Sequence, residues 1–245
     1  GFNALIIQAG LNWHQVVLLR TYARYMRQTT LAFSQTYMEE ALSAYPEIAR
    51  LLVELFEARF NSRAKNRTQR LLDSLQIALD AVTSLDHDRI LRSFLTAIQA
   101  TLRTNFFVWN EQNADEQTIK VLALKFDSNQ LSFLPEPKPV YEIFVYSPQV
   151  EGIHLRGGRV ARGGLRWSDR REDYRTEILG LMKAQMVKNA VIVPVGAKGG
   201  FVVHDPQEVI ICYQAFISGL LDLTDGCQPP RKLLSYDKAD SYKFD

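Results

Sequence analysis

Two glycine-rich segments carry the residue types that are best suited to chemistry in this sequence. Residues 156–166 contain two Arg-Gly-Gly triplets, and residues 195–201 contain a lysine, Lys198, that is followed by two glycines. Glycine pairs let the backbone adopt positive φ and let a ligand approach the amide groups closely. Neither segment has the Gly-x-x-x-x-Gly-Lys-Ser/Thr pattern of a phosphate loop, and no Gly-x-Gly-x-x-Gly follows a predicted strand. The sequence therefore does not predict a mononucleotide or dinucleotide site.

Lys198 is the strongest candidate for a catalytic group. It stands between Gly196 and Gly199, after an apolar stretch that we interpret as a buried strand over residues 190–195. Side chains at strand ends commonly line the crevices of α/β folds. Burial and neighbouring cations both disfavour the ammonium form of a lysine, so such a lysine can exchange a proton near neutral pH. We therefore expect Lys198 to exchange a proton in a chemical step.

Further cations are concentrated around this lysine. Residues 151–200 contain ten Lys or Arg and five Asp or Glu, which gives this segment +5 and leaves −3 for the rest of a chain whose net charge is +2. Cationic side chains hold carboxylates by charge-assisted hydrogen bonds. Gln185 and Lys188 are three residues apart on a predicted helix, so they share one face and could hold one carboxylate. This pattern predicts a dianionic or amino-acid substrate, and an exposed polar helix face is the alternative.

The first half of the chain is predicted to be helical, because apolar residues recur at helical spacing from Leu11 to about Thr104. Asn12 with Gln15 predicts a capping box at the start of one helix, and Pro46 predicts the first turn of another. Two more helices follow. Their apolar stripes are Leu71, Leu75, Leu79 and Val82, and then Ile90, Leu91, Phe94, Ile98 and Leu102.

The second half has a mixed α/β pattern. Residues 110–117 are polar and acidic without periodicity, so we interpret them as a loop at a domain boundary. The predicted fold class is α+β, with a helical region over residues 1–112, an α/β domain over 113–230 and a polar tail over 231–245. The predicted strands cover residues 118–126, 140–146, 150–155 and 190–195, and the predicted helices cover residues 173–188 and 206–221.

Composition excludes several classes of protein. With 245 residues, 47% of them hydrophobic and 23% charged, the chain can form a core and is not predicted to be disordered. Cys212 and Cys227 are too few for a disulfide framework and form no metal-ligand pattern, so we expect reduced thiols and no metal site. No apolar run approaches the roughly 20 residues that cross a bilayer. We therefore expect a cytoplasmic protein without membrane contact.

The longest motifs resemble one family. Residues 159–175 and 181–203 resemble the start of the catalytic region of the large bacterial NAD-specific glutamate dehydrogenases, and Tyr22–Arg27 and Pro46–Leu52 resemble the helical region upstream of it. The resemblance covers roughly residues 5–230. It implies a cytoplasmic homo-oligomer that converts L-glutamate to 2-oxoglutarate and ammonium in amino-acid catabolism. It also implies that NAD binds to a Rossmann domain downstream of Asp245, so that this fragment alone is inactive.

The resemblance also assigns roles to residues. Lys198 matches the catalytic lysine that polarises the carbonyl group and the attacking water, while Lys188 and Gln185 match the residues that bind the α-carboxylate. Smaller glutamate dehydrogenases have a Lys-Gly-Gly-x-Arg loop, and Arg162 stands here in place of its lysine. Arginine offers a planar fork and not a point charge. The implied substrate-binding residues are Lys188, Gln185, Arg162, Gly163, Gly164 and Arg166.

Two other functions stay open on the sequence alone. The Arg-Gly-Gly triplets that begin at Arg156 and Arg162 resemble the arginine-glycine boxes of RNA-binding modules, in a segment with +5 charge. Strong, salt-dependent RNA binding would support that function. The second alternative is a structural or oligomerisation fragment, in which the helical half mediates assembly and the α/β half only packs against it.

Overall fold

The computed structural model describes residues 1–60, 65–109, 119–158, 163–188, 196–224 and 234–235 of the chain. For Lys65, Trp109, Lys188, Leu234 and Ser235 only the backbone is described. The predicted loop over 110–117, the predicted strand over 190–195 and most of the polar tail lie outside the described residues.

The helices begin where local signals place them. The Asn12 side chain accepts a hydrogen bond from the backbone nitrogen of Gln15 at 3.0 Å, and the Gln15 side chain accepts one from the Asn12 nitrogen at 3.0 Å. The predicted capping box is therefore confirmed, as is Pro46 in the first turn of a helix. The helices are α1 (Ala4–Gln8), α2 (Trp13–Arg27), α3 (Gln35–Ala44), α4 (Pro46–Arg59), α5 (Lys65–Asp80), α6 (Leu85–Ala100), α7 (Phe106–Trp109), α8 (Tyr174–Lys188) and α9 (Val209–Leu221).

Within the described residues, the strands form one mixed sheet, which is the second part of the fold. Its order is β5-β6-β4-β3-β2-β1-β7, and all neighbouring strands are antiparallel except β5 and β6. The parallel pair is possible because α8 crosses over between its two strands. The strands are β1 (Thr101–Thr104), β2 (Leu122–Asp127), β3 (Tyr141–Tyr146), β4 (Val150–Arg156), β5 (Leu165–Trp167), β6 (Ala197–Val203) and β7 (Leu234–Ser235).

The two faces of the sheet are covered by different helices. One hydrophobic core contains side chains from α1 to α6 and from α8, packed on one face of β2, β3, β4 and β6. Tyr25 of α2 stacks on Phe126 of β2 with 4.4 Å between ring centroids. A smaller core lies on the opposite face, where Phe216 of α9 packs near Phe201 of β6 at 5.7 Å. The chain is thus α+β, as the sequence predicted.

The structure corrects three details of the predicted secondary structure. The helical stretch was expected to reach about Thr104, but α6 ends at Ala100 and Leu102 lies in β1. Strand β5 begins at the end of the first glycine-rich segment, where no strand was predicted. No strand was predicted after residue 195, but Lys198 and the two glycines that follow it lie inside β6. The domain boundary near residue 112 stays a prediction.

No helix in the described part of the chain combines the length and apolar character that crossing a bilayer requires.

Candidate functional site

Strand β6 positions Lys198 near its beginning. Lys198 is half-buried, and its partner across the ladder is Leu155 of β4. Side chains alternate along a strand, so Lys198 lies on the same face as Gly200 and Val202. That face meets α8, because a β-carbon on Gly200 would lie 2.3 Å from Cδ1 of Ile178. Lys198 therefore lies at the start of a strand, on the side of the sheet that α8 covers.

The glycine turn before β5 lies against the beginning of β6. The backbone nitrogen of Gly199 donates to the carbonyl oxygen of Gly164 at 3.3 Å. A β-carbon on Gly163 would lie 1.6 Å from the carbonyl oxygen of Ala197, so only glycine fits at this position. Two of the predicted substrate-binding residues, Gly163 and Gly164, thus adjoin Lys198.

Helix α8 brings Gln185 to the same place. Ile178, Met182 and Gln185 are spaced so that they share one face of the helix, and Ile178 and Met182 are buried against the sheet. The position of a β-carbon on Gly163 is 3.5 Å from Oε1 of Gln185. The structure therefore brings together Lys198, Gly163, Gly164 and Gln185. Lys188 is the last residue of α8, but its side chain lies outside the described residues, as does all of Arg162.

Close backbone contacts fix α8 relative to β4 and β6. The nitrogen of Gly157 donates to the carbonyl oxygen of Gly196 at 2.7 Å. A β-carbon on Gly196 would lie 2.9 Å from the carbonyl oxygen of Met182 and 2.9 Å from Cγ of Met186. The absence of a side chain at Gly196 lets α8 lie directly on the strand ends that carry the site.

Arg166 has a structural partner. Its Nε lies 2.8 Å from Oε1 of Glu177 in α8, and the hydroxyl of Ser168 donates to the other oxygen of that carboxylate at 2.6 Å. The Arg166 side chain nevertheless remains 59% exposed. The ion pair orients the guanidinium beside the face of β6 that carries Lys198, and substrate binding by Arg166 stays a prediction. Sequence reasoning missed Glu177, since one acidic residue in a helix carries no signal of its own.

His154 is a second residue that sequence reasoning missed. It lies on β4 opposite Gly199 and is 7% exposed. Burial, with a smaller contribution from Arg156, lowers the pKa of its imidazole to about 4. Its Nδ1 has no hydrogen-bond partner among the described residues. His154 is thus neutral at neutral pH, on the sheet face opposite to Lys198.

Arg156, which begins the first Arg-Gly-Gly triplet, is the last residue of β4 and is half-buried. Burial, followed by the charge of Arg103, lowers the pKa of its guanidinium. Arginine-glycine boxes that bind RNA lie in solvated, disordered segments, and Arg156 lies in an ordered strand. Its placement therefore argues against an RNA-binding box.

Comparison with known proteins gives a consistent result. Residues 74–244 match the family model of the catalytic domain of bacterial NAD-glutamate dehydrogenase, and residues 1–62 match that of glutamate dehydrogenase helical motif 3. The chain is 52% identical to the NAD-specific glutamate dehydrogenase of Mycobacterium tuberculosis over 268 aligned positions. It is 50% identical to that of Pseudomonas aeruginosa and 30% identical to that of Neurospora crassa.

The chain spans a small part of these relatives. The alignments with the two bacterial proteins cover 98% of this chain but 16% of each relative, and the alignment with the Neurospora protein covers 89% and 22%. The catalytic-domain model covers well over half of the chain, including every candidate site residue. The chain therefore belongs to the bacterial NAD-glutamate dehydrogenase family.

Proposed function

We propose that this chain forms the glutamate-binding part of an NAD-dependent glutamate dehydrogenase. The enzyme interconverts L-glutamate with 2-oxoglutarate and ammonium, and the conversion of glutamate consumes one water and reduces one NAD. The observation that carries the proposal is the meeting of Lys198, the Gly163–Gly164 turn and Gln185 beside one end of β6.

In this proposal, Lys198 acts on the reacting carbon of the substrate. In the direction of deamination, the α-carbon first loses a hydride and becomes an iminium carbon. Water then adds to that carbon, and ammonia leaves as the carbonyl group forms. The Lys198 amine takes a proton from the attacking water, and the resulting ammonium then donates a hydrogen bond to the developing carbonyl oxygen. The half-buried position of Lys198 supports this role, since a hydrogen bond to a charged donor is stronger where water is partly excluded.

The remaining site residues hold the two carboxylates of glutamate. Gln185 and Lys188, three residues apart on α8, bind the α-carboxylate. Arg162 binds the side-chain carboxylate through its planar fork, and the small size of Gly163 and Gly164 lets the substrate approach the backbone. Arg166, held by Glu177, contributes positive charge at the edge of the site.

The described residues do not fit an NAD site. The described part of the chain has one pair of adjacent parallel strands joined through a helix, β5–α8–β6, and the residues between β5 and α8, 168–173, include no glycine. A dinucleotide site needs glycines in that turn so that the pyrophosphate can approach the helix. We therefore assign NAD to a Rossmann domain outside this chain.

Further parts of the proposal concern the whole enzyme. We place it in the cytoplasm as a homo-oligomer, with L-glutamate and 2-oxoglutarate as its ligands and without nucleic-acid or membrane partners. The 245-residue chain by itself is expected to bind glutamate weakly and not to turn over. The relatives are NAD-specific glutamate dehydrogenases, which supports the assignment of cofactor and substrate.

The test is a substitution in the complete reading frame. NADH formation from L-glutamate is measured for the wild type, for Lys198→Ala and for Lys183→Ala, a control that removes a lysine of α8 from outside the proposed site. We expect the Lys198 variant to lose activity and the Lys183 variant to keep it. A folded wild-type enzyme without glutamate-dependent activity would refute the proposed function.

A further inference from the structure

A buried polar cluster joins three layers of the fold away from the site. Glu142 of β3 is 0% exposed and Arg175 of α8 is 2% exposed. Arg175 donates from Nε to Oε2 of Glu142 at 2.9 Å and also from Nη2 to Oε1. The hydroxyl of Tyr25, in α2, donates to the same Oε2 at 2.9 Å. One carboxylate therefore connects the helical layer, the sheet and α8.

Burial of this cluster costs desolvation free energy, so net stability alone does not explain it. A buried ion pair often contributes no more than apolar residues of similar volume, because both charges must be desolvated. Its geometry is nevertheless specific, since an arginine that donates twice to one carboxylate fixes both the distance and the orientation of the partners. Burial, followed by the charge of Glu142, raises the pKa of Tyr25, so its hydroxyl remains a donor. The cluster therefore fixes the positions of α2, β3 and α8 relative to one another.

The cluster fixes the beginning of α8. Arg175 is the second residue of that helix, and its backbone nitrogen donates to Oε1 of Gln28 at 3.4 Å. The Gln28 amide in turn donates to the carbonyl oxygen of Arg171 at 2.9 Å. Gln28, the residue just after α2, therefore holds both the first turn of α8 and the segment that leads into it.

The other end of α8 carries the proposed carboxylate-binding residues. Arg175 and Gln185 lie on one helical face, with Ile178 and Met182 between them against the sheet. A β-carbon on Gly157 would lie 2.5 Å from Sδ of Met186, so the helix has little room to shift without disturbing the strand ends. Gln185 lies in the same continuous helix as Arg175, so a tilt of the first turn of α8 changes where Gln185 sits relative to these closely packed strand ends.

We propose that Tyr25 and Arg175 are positioning residues for substrate binding, which act by holding α8 so that Gln185 and Lys188 meet the α-carboxylate of glutamate. This inference rests on the proposed function. It predicts an effect on KM for glutamate, since α8 carries binding residues and β6 carries the reacting lysine.

The test compares two tyrosines of α2 in the complete enzyme. Tyr25→Phe removes the hydrogen bond to Glu142 and keeps the ring. Tyr22→Phe is a matched control, because Tyr22 is also 0% exposed and its hydroxyl lies 2.7 Å from Oγ1 of Thr101, at the start of β1. Each variant loses one buried hydrogen bond, but only the Tyr25 variant loses one that leads to α8.

We expect Tyr25→Phe to raise the KM for glutamate roughly 3- to 10-fold with little change in kcat. The effect should be smaller than the roughly 100-fold loss of rate that a 1 Å misplacement of a reacting group can cause. Tyr22→Phe should leave KM unchanged. A purely structural role for Tyr25 would lower the amount of active enzyme and therefore kcat, without changing KM. Equal KM values in the two variants would overturn the inference.

Amide hydrogen exchange separates this inference from the proposed function. In the Tyr25 variant, the amides of residues 182–188 should exchange faster than in the Tyr22 variant, whether or not the enzyme is active. A wild type without glutamate dehydrogenase activity would refute the proposed function. Equal exchange in the two variants would refute the link between Tyr25 and the end of α8.

Discussion

The backbone nitrogen of Gly199 donates to the carbonyl oxygen of Gly164 at 3.3 Å, so the residue after Lys198 is tied to the turn before β5. This contact involves only backbone atoms. The relative position of the turn and the strand is therefore independent of the side chain at position 198, and Lys198→Ala can remove the amine without removing the frame around it.

A methyl group at Gly163 should disrupt this frame. The added β-carbon would lie 1.6 Å from the oxygen and 2.6 Å from the carbon of the Ala197 carbonyl group, so either the turn or β6 must move. Overpacking of this kind typically costs about 1–3 kcal/mol. We expect Gly163→Ala to unfold at a lower urea concentration than the wild-type chain. Gly180→Ala is the control, because Gly180 is exposed in α8 and an added β-carbon would meet nothing within 4 Å beyond its own helical turn. This variant should gain up to about 1 kcal/mol. Equal urea midpoints for Gly163→Ala and the wild type would contradict the close contact.

Acid should destabilise the chain through His154. The imidazole has an ordinary pKa of 6.5 in the unfolded chain and a pKa of about 4 in the folded chain, because it is buried. Between these values the unfolded state binds a proton that the folded state does not, so the free energy of unfolding falls as the pH drops from 6.5 to 4. At about 1.36 kcal/mol per pKa unit, the loss approaches about 3 kcal/mol, and above pH 6.5 there is none.

The measurement is urea unfolding of the wild type and His154→Gln across this pH range. Glutamine does not titrate, so the stability of the variant should depend less on pH than that of the wild type. Parallel curves for the two proteins would show that His154 is not the group responsible.

Arg162 should recognise the side-chain carboxylate of the substrate. A hydrogen bond to a charged group is worth about 1.5–3 kcal/mol, so Arg162→Ala should lower kcat/KM for L-glutamate roughly 10- to 100-fold. L-Norvaline lacks that carboxylate, so the substitution should change kcat/KM for norvaline little. Arg170→Ala is a matched control, since Arg170 is 53% exposed and paired with Asp173. Equal losses for glutamate and norvaline would argue that Arg162 acts elsewhere.

The capping box at Asn12 should stabilise the fold measurably. Asn12→Ala leaves the Gln15 backbone nitrogen without its side-chain acceptor and should cost about 1 kcal/mol in urea unfolding. Gln15→Ala removes the reciprocal bond, along with the 2.8 Å bond from Gln15 to Glu57. Because the two residues form one unit, the double variant should lose less than the sum of the single losses. Strictly additive losses would mean that the box is not cooperative.

Local signals in the sequence were sufficient for several elements. The side chain of Asn12 and the fixed φ of Pro46 act within one helical turn, so the start of α2 and of α4 could be predicted from neighbouring residues. The β-branched and aromatic residues of β3 likewise predicted a strand over residues 140–146, and the structure has it over Tyr141–Tyr146.

Contacts between distant residues could not be predicted in this way. Strand β6 begins with alanine, lysine and two glycines, which have low β-propensity, and it forms because β4 and β5 pair with both of its edges. The contact between Tyr25 and Glu142 joins residues that are 117 positions apart. The motif around Lys198 was evident in the sequence, but its position beside Gln185 depends on these long-range pairings.

The core that the helices share with the sheet has a consequence for folding. The two family models match residues 1–62 and residues 74–244, which divides the chain into two segments. Side chains from both segments nevertheless interlock in one hydrophobic cluster, which includes Phe56 and Phe144. Separating them would expose both surfaces to water, so neither segment gains its full stability alone. Calorimetry should therefore record one cooperative melting transition, with the helical segment serving as part of the folding unit of the catalytic sheet.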